Sequence, residues 1–122
     1  MSDYQSEWPP EIKEQVAARI AHARKYWSDD SRQRAKAIGV YWRGIRREAG
    51  KTPEEAADAT GVPFISYILF EEGLMAHEDL PRGYIISLAT YLERPGAMEK
   101  HVMRFERDYL TDFIKDQEAK EL

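Results

Sequence analysis

Residues 55–62 read Glu55-Ala56-Ala57-Asp58-Ala59-Thr60-Gly61-Val62. A pair of helices that cross at a tight turn makes two demands on such a stretch. The first helix needs a small residue where the second passes close to it, and Ala57 supplies one. Four residues later the chain must turn through a positive φ, which glycine adopts without steric penalty, and Gly61 stands there. Ala56, Val62, Tyr67 and Phe70 then fall on the inner faces that the two helices share. The spacing predicts a helix, a turn at Gly61, and a second helix that starts at Pro63 and ends before Gly73.

The flanking sequence extends this helical pattern in both directions. Thr52-Pro53-Glu54-Glu55 is a capping box, with Thr52 at the N-cap, Pro53 in the first helical position and Glu55 reaching back. Upstream, Ala35, Ile38, Tyr41, Trp42, Ile45 and Ala49 form the apolar stripe of a helix from about Arg32 to Ala49, and Gly50 is a C-terminal stop. Gly39 and Gly44 inside it predict close packing, because each lowers helix propensity by about 1 kcal/mol relative to Ala. Ser28-Asp29-Asp30-Ser31 offers N-caps for that helix. Before it, Pro9-Pro10 opens another, with Ile12, Val16, Ile20, Ala23 and Trp27 at helical spacing. Downstream, a helix from about Arg82 to Glu93 carries Tyr84, Ile85, Leu88, Ala89 and Leu92 inward. After the break at Pro95-Gly96 the pattern predicts a long amphipathic helix, about Ala97 to Glu118. Met98, Val102, Phe105, Tyr109 and Phe113 form its stripe. The expected organisation is an N-terminal helical extension over 1–30, a helical domain over 31–94, and the amphipathic helix over 95–122, all-α throughout.

Composition narrows the function classes. The chain has 122 residues, 43% hydrophobic and 33% charged, which suits one compact domain with an appended helix. It contains no cysteine, which excludes disulfides and thiolate metal sites and fits a reducing, cytoplasmic setting. The opening residues, MSDYQSEWPPEIKE, are polar and acidic, unlike a signal peptide. No apolar run reaches the roughly 20 residues of a membrane span. His22, His77 and His101 are far apart and lack metal-ligand spacing, and no nucleophile–base set or Gly-rich phosphate loop accompanies the acids. The expectation is a protein without cofactor or enzymatic activity. Charge is segregated along the chain. Residues 19–51 hold ten basic and three acidic groups, net +7, whereas residues 52–81 hold seven acids and no Lys or Arg, net −7.

The central region resembles the Cro/repressor-like (XRE) helix-turn-helix family. The likeness is carried by Ile45-Arg46-Arg47-Glu48-Ala49-Gly50-Lys51-Thr52-Pro53-Glu54-Glu55-Ala56-Ala57, then Thr60-Gly61-Val62, Glu71-Glu72-Gly73 and Leu88-Ala89-Thr90-Tyr91-Leu92. It covers roughly half of the chain and leaves the first and last helices outside. The resemblance implies a Cro/repressor-like helical bundle, here with an extra N-terminal helix and a long C-terminal one. It also implies a homodimer and a DNA-binding transcriptional regulator. Under that reading Thr52 and the amides after it hold a phosphate, Arg43, Arg46, Arg47 and Lys51 bind the DNA backbone, and Phe64, Ile65 and Ser66 face the groove.

One departure bears directly on this expectation. The second motif helix lacks Lys, Arg, Asn and Gln, the groups that read base edges, and only Ser66 offers a hydrogen bond. The motif brings net negative charge, whereas phosphate neutralisation is the main source of affinity for DNA. A second, narrower resemblance lies in Leu80-Pro81-Arg82-Gly83-Tyr84-Ile85-Ile86-Ser87-Leu88-Ala89-Thr90-Tyr91-Leu92 after Phe70-Glu71-Glu72-Gly73, which looks like the cytoplasmic domain of RodZ-type proteins. That resemblance implies a helix-turn-helix used to bind protein. Two functions therefore stay open: a DNA-binding regulator, and a protein-interaction module that makes contact through Phe64, Ile65 and Leu69. Those three residues are either an exposed partner site or core beneath one of the extra helices. The basic run of the preceding helix is either a phosphate-binding edge or a solvated face. Met98, Val102, Phe105, Tyr109 and Phe113 are either a dimer seam or the inner face of a helix folded back on the bundle.

Overall fold

The computed structural model describes residues 8–75 and 83–106. Every regular element among them is helical: α1 Pro10–Tyr26, α2 Asp29–Glu48, α3 Pro53–Thr60, α4 Phe64–Glu71, α5 Tyr84–Tyr91 and α6 Pro95–His101, followed by a π-helical turn Val102–Glu106. No described helix is long and apolar enough to cross a membrane.

Local chemistry sets the boundaries. Ser28 caps α2 by accepting from the Ser31 amide at 3.1 Å. Asp29 and Asp30 sit in the first turn, where the helix dipole favours anions, so α2 starts three residues before its apolar stripe predicts. The capping box at α3 forms in both directions: the Glu55 amide donates to Thr52 Oγ1 at 3.1 Å, and the Thr52 amide donates to Glu55 Oε1 at 3.0 Å. These bonds to Thr52 hold the Glu55 carboxyl below the usual carboxylate range. Gly61 ends α3 in the left-handed region (φ 73°), and Val62 N–H closes back on the Ala57 carbonyl at 3.1 Å. Three more helices end in the same way. Leu74 bonds to Leu69 and Lys51 to Arg46 across left-handed glycines, while Arg94 bonds to Ala89 across Glu93, which holds φ 57° without being glycine.

Two hydrophobic clusters fill the interior among the described residues, and α4 contributes to both. The first joins Trp42 of α2, Ala56 and Ala57 of α3, Tyr67 and Phe70 of α4, Tyr84, Leu88 and Ala89 of α5, Leu92, and Ala97 of α6. The second joins Trp8 and Ile12, Val16 and Ala23 of α1 to Ile68 of α4 and Leu74. A short helix that is apolar round most of its circumference needs cover on more than one side; in α4, FISYILFE, Tyr67, Ile68, Phe70 and Glu71 are buried and Phe64, Ile65 and Leu69 half-buried. The close approach of α2 to α4 depends on Gly39: a Cβ there would lie 2.3 Å from the Glu71 carbonyl oxygen. Gly44, where similar packing was expected, faces open space, with nothing within 4 Å of such a Cβ.

The C-terminal expectation changes. α6 ends at His101, and in the π-helical turn that follows His101 and Phe105 are in ring contact at 5.3 Å. The rest of the predicted long helix, with Tyr109 and Phe113, lies outside the described residues.

Candidate functional site

The site expected from the sequence lies on α4 and the edge of α2 beside it. The inner side of α4 is polar at its C-terminal end. Glu71 and Arg46, 1% and 4% exposed, form a paired contact with Arg46 Nε donating to Oε2 at 2.7 Å and Nη2 to Oε1 at 3.1 Å. A third donor, Arg46 Nη1, reaches the Lys51 carbonyl at 2.6 Å. Arg43 extends the network, donating to the Glu71 carbonyl at 3.0 Å and to Glu72 Oε1 at 3.1 Å. A buried guanidinium and carboxylate are tolerable only when their hydrogen-bonding groups find partners, and this network supplies them. Two phenols share the surroundings. Burial first, and the Glu71 carboxylate second, push Tyr67 ionisation far above the ordinary tyrosine range. Burial pushes Tyr84 up to about 12, opposed by its contact with Thr60 Oγ1 at 3.0 Å.

This arrangement engages two of the four cations of the expected basic edge. Arg46 is interior, held by Glu71 and the Lys51 carbonyl, and is not placed to meet a phosphate. Arg43 is mostly covered and engaged by two acidic residues. The exposed remainder is Arg47, with Thr52 at its cap and Lys51, half-buried, lying 5.7 Å from the centre of the Tyr91 ring. Glu54, Glu55 and Asp58 of α3 are exposed beside them.

The outer side of α4 is covered. Phe64, Ile65 and Leu69, half-buried, pack against the second cluster, whose other wall is α1. Ser66 is also half-buried. The Arg19 Nε–H of α1 donates to the Leu74 carbonyl at 3.1 Å and ties α1 to the chain just beyond α4. α1 therefore lies along the side of α4 that carries Phe64, Ile65 and Leu69.

The residues expected along a dimer seam divide. Met98 packs against the first cluster. Phe105 lies between the rings of Tyr41 and His101, at 5.7 and 5.3 Å, and its carbonyl accepts from Arg34. Both face the bundle. Val102 is half-buried. His101 is buried, and its Nδ1 accepts from Trp42 Nε1 at 2.9 Å, which puts the ring proton of the neutral imidazole on Nε2. Between α2 and the start of α6 runs an open groove of about 510 Å³, with Tyr41 and Gly44 at its sides and Glu48, Glu93, Arg94 and Lys100 among its charged lining. No group of His, Asp and Glu among the described residues is disposed to hold a metal ion.

Sequence spacing did not reveal the Arg46–Glu71 pair, although each residue interrupts an otherwise apolar face. It also did not reveal that Trp8, just before α1, is buried in the second cluster. Comparison with protein-family models, curated proteins and solved structures finds no match to this chain.

Proposed function

We propose that this chain is a helix-turn-helix bundle of the Cro/repressor-like kind that serves as a protein-interaction module and does not read DNA through its second motif helix. The observation that carries this reading is the packing of Phe64, Ile65 and Leu69 of α4 against the cluster that α1 and α4 share. Base reading requires hydrogen-bonding side chains free to enter the major groove. Here the corresponding face is apolar and already packed. The acids of α3 and the engagement of Arg43 and Arg46 with Glu71 and Glu72 leave little cationic surface beside it.

A second reading, DNA binding through the phosphate backbone alone, is favoured by the exposed Arg47 beside Lys51 and the Thr52 cap. The two readings separate in one experiment. Binding of the purified chain to random-sequence duplex DNA is measured at about 50 and 200 mM salt, the range over which phosphate contacts declare themselves. The protein-interaction reading expects no binding at either salt. Binding that falls steeply with salt and disappears in an Arg47→Glu, Lys51→Glu variant would overturn it in favour of a DNA-backbone binder.

A further inference from the structure

The α1–α4 contact has the features of an exchangeable docking site. All the α1 side chains buried in the bundle belong to the second cluster, so the first core is complete without α1. Only Trp27 and Ser28 separate α1 from α2, and both are extended (φ −92°, ψ 145° and φ −68°, ψ 159°). The shape that fits the outer face of α4 is on view, because α1 fills it: a helix with apolar residues at 12, 16, 20 and 23 and a cation at 19 reaching the Leu74 carbonyl. A helix that buries a cluster of its own and joins the rest through a short connector is the arrangement from which identical chains exchange elements.

We infer that the outer face of α4 accepts α1 from a second copy of this chain, giving a reciprocal dimer in which each α1 crosses to its partner. This deepens the protein-interaction reading by naming the partner, and it rests on that reading. The closed monomer holds its own α1 at an effective concentration of the order of millimolar, so exchange is favoured by concentrated protein or by weakening one chain's own contact.

The test uses two full-length variants that complement each other. Val16→Asp spoils α1 as a donor but keeps the α4 face. Ile65→Asp spoils the face but keeps α1. Each alone is expected to run as a monomer of the 14.2 kDa chain. Mixed at about 100 μM, well below the millimolar effective concentration of a tethered α1, they are expected to form a one-to-one heterodimer by light scattering. Two folded variants, judged by far-ultraviolet circular dichroism, that stay monomeric on mixing would overturn the inference. If either variant unfolds, the wild-type chain is titrated with a fluorescent peptide of residues 8–28. Saturable binding that is competed by unlabelled peptide sustains the inference, and no binding up to about 1 mM, the effective concentration that the tethered helix enjoys, overturns it. Failure here with no DNA binding would leave the protein-interaction reading in place with another partner, whereas salt-sensitive DNA binding would remove that reading itself.

Discussion

Arg46 of α2 and Glu71 of α4 meet as a two-pronged pair, 2.7 and 3.1 Å, buried between the two helices and bordered by Arg43. The pair fixes how far α4 slides along α2, because both guanidinium contacts hold only in one register. Removing one partner strands the other charge in the interior. Glu71→Ala is expected to cost about 3–5 kcal/mol in urea unfolding, whereas an Arg46→Met, Glu71→Leu double variant recovers most of the loss. Equal destabilisation by the single and double changes would show that the pair is not the source of the cost.

The two glycines inside α2 make opposite predictions. At Gly39 a methyl group would press on the carbonyl oxygens of Glu71 and Phe70, at 2.3 and 2.8 Å, and backbone cannot step aside as a flexible side chain does. Gly39→Ala is expected to destabilise by about 3 kcal/mol or more, the upper end for overpacking. Gly44→Ala meets nothing within 4 Å and is expected to stabilise by up to about 1 kcal/mol through helix propensity. Thermal melts of the two variants side by side decide the matter.

Glu93 ends α5 at φ 57°, in the role that glycine fills after α2, α3 and α4. A side chain in that region carries a penalty of roughly 1–2 kcal/mol, part of which glycine gives back as unfolded-state entropy. Glu93→Gly is therefore expected to raise stability by about 0.5–1 kcal/mol, which a shift in urea midpoint at unchanged slope would register. A drop in the midpoint would mean that the Glu93 side chain contributes more than its backbone loses.

Tyr84 and Tyr67 make the fold sensitive to alkali. Their folded ionisation lies above the ordinary value of about 10, so their contribution is complete below pH 10 and is lost as pH rises towards 12 and beyond. The unfolded chain releases phenolic protons that the folded chain retains. Tyr84→Phe is expected to be less stable than the parent at pH 9, where it lacks the Thr60 contact, and to lose less stability than the parent between pH 10 and 12. Parallel curves for the two proteins would refute the assignment.

The parts of the fold written in local patterns were legible in the sequence. Thr52 with Glu55 announced the start of α3, Gly61 the turn after it, and the Tyr84-to-Leu92 stripe the inner face of α5. These signals depend on neighbours a few residues apart. What escaped depends on residues far apart. Arg46 reads as one more cation in a basic run until Glu71, 25 positions later, is seen beside it. The apolar Phe64, Ile65 and Leu69 admitted either a partner or a cover, because periodicity does not say which helix lies opposite. The all-round apolarity of α4 was the one local hint, since such a helix has no face suited to water. Spacing also suggested a seam for Met98 and Phe105, and only the rings of Tyr41 and His101 show that Phe105 turns inward.

A helix walled in on both sides also constrains descent. Specificity for a nucleic-acid sequence evolves by trying Arg, Gln or Asn at positions that water tolerates, then keeping what fits. On α4 each such trial would bury an unpaired polar group beneath α1, at about 1–3 kcal/mol apiece. While α1 holds its place, only apolar side chains are expected to be tolerated at Ile65 and Leu69 without loss of stability.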